Sequence, residues 1–139
     1  MGATAATYEP LYLQGIAYFN ACEFFEAHEV WEELWKNYSG ELRLFYKGLI
    51  QAAVALHHFG NGNIRGARKV YRSSRDYLAQ YAPACQGLDV ERFLAQFDAC
   101  FAEVAASDVV FPQIEIKPEL IPEIWLDPPA ELPPIEIER

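Results

Sequence analysis

Apolar residues recur at helical spacing through most of the chain up to Ser107. Leu11, Tyr12, Gly15, Ile16 and Phe19 mark a first helix over 8–19, with Pro10 tolerated in its opening turn. A second helix, from about Glu23 to Tyr38, places Phe24, Ala27, Trp31, Leu34, Trp35 and Tyr38 on one face. Gly40 follows and is expected to close that helix in the left-handed conformation. The third helix, Glu41 to about Phe59, is apolar almost all round, which assigns it to the middle of a bundle because no face is left for water. Gly60-Asn61-Gly62-Asn63 is a turn by composition. A fourth helix runs from Ile64 to about Tyr81 and is expected to pack with Ile64, Ala67, Val70, Tyr71, Tyr77 and Leu78. Pro83 and Gly87 punctuate the next turn. Asp89 then caps a fifth helix whose stripe is Val90, Phe93, Leu94, Phe97, Phe101 and Val104. The pattern predicts an all-α domain over 1–107, an up-and-down bundle of about five helices with the third at its centre.

Beyond Ser107 the periodicity stops. From Phe111 to Arg139 there are seven of the nine prolines, and seven carboxylates face only Lys117 and Arg139, so no helix is expected there. Ile114-Glu115-Ile116 recurs as Ile135-Glu136-Ile137, and Trp125 lies between. Residues 108–139 are therefore expected to form an extended acidic arm, part polyproline and part strand, lying over the bundle or over a second copy.

Composition narrows the class. A chain of 139 residues that is 52% hydrophobic can bury one core. Its net charge of −9 argues against general affinity for nucleic acid or an anionic membrane. The N-terminus lacks the charged and apolar regions of a signal peptide and offers Ala6 where N-myristoylation wants Ser or Thr. The apolar run from Gly48 to Leu56 is too short to span a bilayer. Cys22, Cys85 and Cys100 are odd in number and widely spaced, which fits small buried hydrophobes in a reducing cytoplasm. Arg65, Arg68, Lys69, Arg72 and Arg75 are expected on the outer side of the fourth helix, solvated or paired with carboxylates of the second helix and the arm, with a phosphate-bearing ligand or RNA as the alternative that the overall charge disfavours.

The candidate chemistry lies on the second and third helices. His28 and Glu32 are one turn apart, with Glu29 beside them, on the shoulder of the face that carries the tryptophans. Lys47, Gln51 and His58 form a narrow polar line along the otherwise apolar third helix. The plainest expectation is a hydrogen-bonded network of His28, Glu29, Glu32, Lys47 and Gln51 that fixes the register of the two helices. Two catalytic alternatives use the same residues. In one, His28, Glu32 and Glu29 hold a divalent metal, the only cofactor this stripe suggests, as carboxylates and imidazoles do in di-iron bundles. Here the Glu-x-x-His order is reversed and occurs once, and Lys47 would repel a cation. In the other, His28 is a general base oriented by Glu32, with Gln51 or Lys47 on a polarised oxygen, and Cys22 is the nearest nucleophile in sequence.

Three motifs carry a resemblance: Phe-Phe-Glu-Ala-His-Glu-Val-Trp-Glu-Glu-Leu-Trp (24–35), Lys-Gly-Leu-Ile-Gln-Ala-Ala (47–53) and Gly-Asn-Ile-Arg-Gly-Ala (62–67). Over roughly Tyr12 to Leu78 the chain resembles the prokaryotic domain of unknown function family three hundred and nine. The resemblance implies a small helical bundle, with Glu26, His28, Glu29, Glu32 and Gln51 on the family's polar pattern. It also brings the label of metal-dependent hydrolase that such proteins sometimes carry. The turn at 62–67 is similar to tetratricopeptide-type hairpins, although no 34-residue period is present. The expectation is an interaction or scaffold module, acting as a homodimer or other homo-oligomer, with a hydrolase centred on His28 as the alternative.

Overall fold

The computed structural model describes residues 7–110 and 112–136. Six α-helices are present among them: α1 (Pro10–Asn20), α2 (Phe24–Lys36), α3 (Arg43–Gly60), α4 (Ile64–Ala79), α5 (Val90–Cys100) and α6 (Ala102–Ala106); the arm, expected to hold no helix, makes one 3₁₀ turn at Pro118–Leu120, whose first position tolerates proline. The expected fifth helix is thus two. Phe101, at φ −98° and ψ 10°, ends α5 and opens α6 while the apolar stripe continues through it to Val104. Asp89 caps α5 as its side chain allows, its Oδ1 accepting from the Arg92 N–H at 2.9 Å.

Helices α1 to α4 pack in chain order, each on the next, and α3 lies between α2 and α4. Phe45, Leu49, Ala52, Ala53, Ala55 and Leu56 of α3 are fully buried, as a central helix requires. Small residues set the close approaches. Gly15 lets Trp31 lie against α1, where its Nε1–H donates to the Tyr12 carbonyl at 3.1 Å. Gly48 lets α4 reach α3, where the buried Ser74 hydroxyl donates to the Gly48 carbonyl at 2.6 Å. Tyr71 of α4 stacks on Phe101 with ring centroids 4.7 Å apart, which ties α5 and α6 to the same core.

Helix α2 does not end as its glycine suggests. The positive-φ glycines of the described residues are Gly62 and Gly87, so Gly40 is not left-handed. The Arg43 guanidinium instead donates to the carbonyls of Trp35 at 3.0 Å and Tyr38 at 2.7 Å, supplying the cation that a helix C-terminus favours.

Between α4 and α5 a two-residue antiparallel hairpin forms, β1 (Ala84–Cys85) with β2 (Leu88–Asp89), where periodicity shows only a turn. The arm attaches there. Asp127 N–H donates to the Gly87 carbonyl at 2.9 Å, and Leu126 bridges to Leu88. Asn20 holds the arm from the other side: its amide donates to the Ile124 carbonyl at 2.9 Å and accepts from the Ile124 N–H at 2.8 Å. Ile124 is 2% exposed and belongs to the core, while Tyr8 donates to the Pro128 carbonyl at 2.7 Å.

The basic side of α4 is divided rather than uniformly solvated. Arg68 reaches the Val104 carbonyl at 2.9 Å and Arg75 chelates Asp98 at 2.8 and 2.9 Å, so both dock the last helices. The arm is anchored on α1 and the hairpin, with Pro112 at its start lining a cleft beside Arg65 and Lys69. No helix among the described residues is long and apolar enough to cross a membrane.

Candidate functional site

Helix α2 is rotated so that Trp35, not Glu32, meets α3. The indole lies beneath two cations one turn apart, with the Arg43 guanidinium 4.0 Å and the Lys47 ammonium 4.9 Å from its ring centre. Lys47 is thereby engaged by an aromatic face instead of a carboxylate. Among the described residues no hydrogen bond or ion pair joins His28, Glu29 or Glu32 to Lys47 or Gln51. The network expected across this seam does not form. Burying the carboxylates would cost their hydration, whereas an indole under cations fills the seam without stranding a charge. Two polar atoms in these elements stay buried without a partner, the donor Trp35 Nε1 and the acceptor Gln51 Oε1.

His28 and Glu32 belong to an outer ladder. His28 Nδ1 lies 2.8 Å from the Phe25 carbonyl, the geometry of an Nδ1–H donor. That tautomer leaves Nε2 as the basic nitrogen, 3.6 Å from Glu32, whose other oxygen is 3.4 Å from Lys36. With Glu29 and Glu33 these three residues line an open trough of about 220 Å³. A divalent ion would find His28 and Glu32 there, but Lys36 already sits on Glu32 and no third donor joins them. Among the described residues no three His, Cys, Asp or Glu side chains converge closely enough to hold a metal. The trough has no hydroxyl or thiol on its walls either.

Cys22 lines a neighbouring cleft, at the corner between α1 and α2, with a positive φ of 61°. Burial and the carboxylates of Glu123 and Glu23 push its thiol above the ordinary value, which disfavours the thiolate. This second cleft, about 320 Å³, includes Phe25, Glu26, His57 and Asn61 and is closed on one side by Ile116 and Ile121 of the arm. The rings of Phe25 and His28 meet edge-on at 5.2 Å, and those of Phe25 and His57 lie 5.5 Å apart. His57 is held by Asn61 at 3.1 Å, and His58 faces Asn63 at 3.3 Å. His58 is pushed below its ordinary value by burial and then by His57.

Phe25, His57 and Arg43 had no place in the sequence-predicted stripe. Phe25 is one turn before His28 and 45% exposed, so an aromatic residue off the apolar face of an amphipathic helix was the available signal. Arg43 offered the cue of a cation following a helix end. His57 had none, because its neighbour across the seam depends on how α2 is rotated.

Comparison with known proteins supports the family resemblance. The family described as Domain of unknown function (DUF309) matches residues 12–70. An uncharacterised protein of Aquifex aeolicus (strain VF5) is 31% identical over 100 residues, covering 71% of this chain and 29% of its own length. The chain therefore spans under a third of that relative. The uncharacterised protein YpuF of Bacillus subtilis (strain 168) is 31% identical over 124 residues, covering 84% of this chain and 70% of its own length.

Proposed function

The chain belongs to the DUF309 family of small helical proteins, and on that footing we propose that it is an interaction module working through the outer face of α2. The observation that carries this reading is Phe25. A large aromatic ring stands 45% exposed between the acidic ladder and a cleft, on a helix whose Phe24, Ala27, Trp31 and Leu34 are buried. Buried aromatic anchors with a polar surround are how binding surfaces concentrate their energy, and a solvent-facing phenylalanine beside a cleft is such an anchor without its cover. His28 and Glu32 then act as polar rim, oriented by the Phe25 carbonyl and Lys36.

Self-association as a homodimer or other homo-oligomer is part of the same proposal, as is residence in the cytoplasm, which suits the free thiols of Cys22, Cys85 and Cys100. The test places a photo-cross-linking amino acid at position 25 and, as control, at the exposed Ala95 of α5. Irradiation in cells should give discrete covalent adducts from position 25, either to a second copy or to another protein. Adducts no stronger than those from position 95 would end the proposal.

A further inference from the structure

The cleft beside Phe25 has a chemical character of its own. Its apolar lining that reaches the surface is Phe25 of α2 with the half-buried Ile116 and Ile121 of the arm. Its rim is acidic: Glu23 and Glu26 line it, and Glu123 is close enough to raise the Cys22 thiol. None of these three carboxylates makes an ion pair among the described residues, where the paired acids are Glu32, Asp98 and Glu103. Glu23 and Glu26 stand at the N-terminal end of α2, where the helix dipole favours negative charge. They are thus tolerated without a neighbouring cation, and their charge is left to act outward.

We propose that this cleft is the docking slot for a lysine or arginine side chain of a protein partner. The proposal rests on the interaction-module reading and names the chemistry of the partner. Lysine and arginine join an aliphatic stem to a cationic head, and the slot's lining offers apolar and acidic side chains to match both parts. The stem lies on Ile116 and Ile121, and the head reaches the Phe25 ring and the carboxylates of Glu23 and Glu26. An acidic side chain would meet uncompensated repulsion at the rim. A purely apolar one would desolvate the carboxylates without pairing them. At about 320 Å³ the cleft holds one long side chain and little more.

The test titrates the full chain with three equal-length peptides in which alanine alternates with arginine, glutamate or glutamine, followed by amide chemical shifts. The arginine peptide should bind and move the signals of residues 22–26, 57–61 and 116–121. The double variant Glu23→Gln/Glu26→Gln should weaken it about fivefold or more, equivalent to roughly 1 kcal/mol. The charge-matched control Asp76→Asn/Glu91→Gln, on α4 and α5, should change it less than about twofold. Equal weakening by both doubles would mean attraction to the chain's overall charge and would overturn the slot. Binding of the glutamine or glutamate peptide at the same residues as tightly as the arginine peptide would overturn the cation assignment yet leave the interaction face standing. Absence of any shift in the slot would also overturn the proposal. If cross-links at position 25 were missing as well, the underlying reading would fall with it.

Discussion

Gly15 and Trp31 interlock: a β-carbon on residue 15 would lie 2.0 Å from the indole Nε1 of Trp31. Trp31 is fully buried and rigid, and its Nε1–H is committed to the Tyr12 carbonyl. Alanine in place of Gly15 would gain up to about 1 kcal/mol of helix propensity. The clash costs more, since an aromatic ring in a filled core has nowhere to move. Gly15→Ala should destabilise the fold by about 1–3 kcal/mol net, measured by urea unfolding. A variant as stable as the parent would show that α1 and α2 can separate freely.

Arg43 closes the end of α2 and covers Trp35 at once. Arg43→Met keeps the stem and removes both carbonyl bonds, so about 1–3 kcal/mol should be lost. Arg43→Lys should restore part of it, because both bonds leave one guanidinium nitrogen and an ammonium can donate to both carbonyls, but it does not stack on the Trp35 ring as the planar group does. Equal stability of the methionine and lysine variants would refute the capping role.

Gln51 presents a buried acceptor that finds no donor. Removing an unsatisfied polar atom while keeping its volume relieves a penalty of about 1–3 kcal/mol. Gln51→Met should therefore leave stability unchanged or raise it. A loss beyond about 1 kcal/mol in thermal or urea melts would reveal a bonded role for the amide.

Two groups make stability depend on acidity in the same direction. Burial opposes ionisation of Asp98, yet the bonds from Arg75 and Tyr71 outweigh it and hold its carboxyl below the ordinary 3.8. That contribution is complete above about 3.8 and is lost as pH falls through the lower folded value. His58 is held below its ordinary 6.5, so the folded chain takes up this proton less readily than the unfolded one. Its contribution is complete above about 6.5 and declines as pH falls through the folded value. Urea midpoints should fall in two steps on acidification. His58→Gln should flatten the first and Arg75→Met the second. An unaltered first step in His58→Gln would clear His58 of any part.

Asn20 is the tie between bundle and arm. Asn20→Ala strands both backbone groups of Ile124, and hydrogen exchange over 121–128 should rise well above that of α3. Unchanged exchange there would mean that Ile124 burial alone secures the arm.

The helices were legible because a 3.6-residue repeat survives any detail of packing, and Asp89 was legible because capping is local chemistry. The β1–β2 hairpin was not, since two-residue strands carry no alternation to read. Its turn rests on Gln86 at φ 48° and Gly87 at φ 75°, a conformation that only the glycine advertised. The His28–Glu32 pair was visible as an i, i+4 spacing and is present. What it would face was not visible. The rotation of α2 follows from the packing of Phe24, Ala27, Trp31 and Leu34 together with Trp35 beneath Arg43 and Lys47, and a few tens of degrees there decide whether the ladder is sealed in or left outside.

The stretch that the DUF309 family model matches, residues 12–70, stops midway along α4. Tyr71, Leu78, Phe93, Phe97, Phe101 and Ile124 complete the same core from beyond that limit. Cut out at its family boundary, the segment would be an open half-shell with its greasy interior showing, prone to clump rather than to work. In this chain the roof over that hollow is built by α5, α6 and a proline-rich strap.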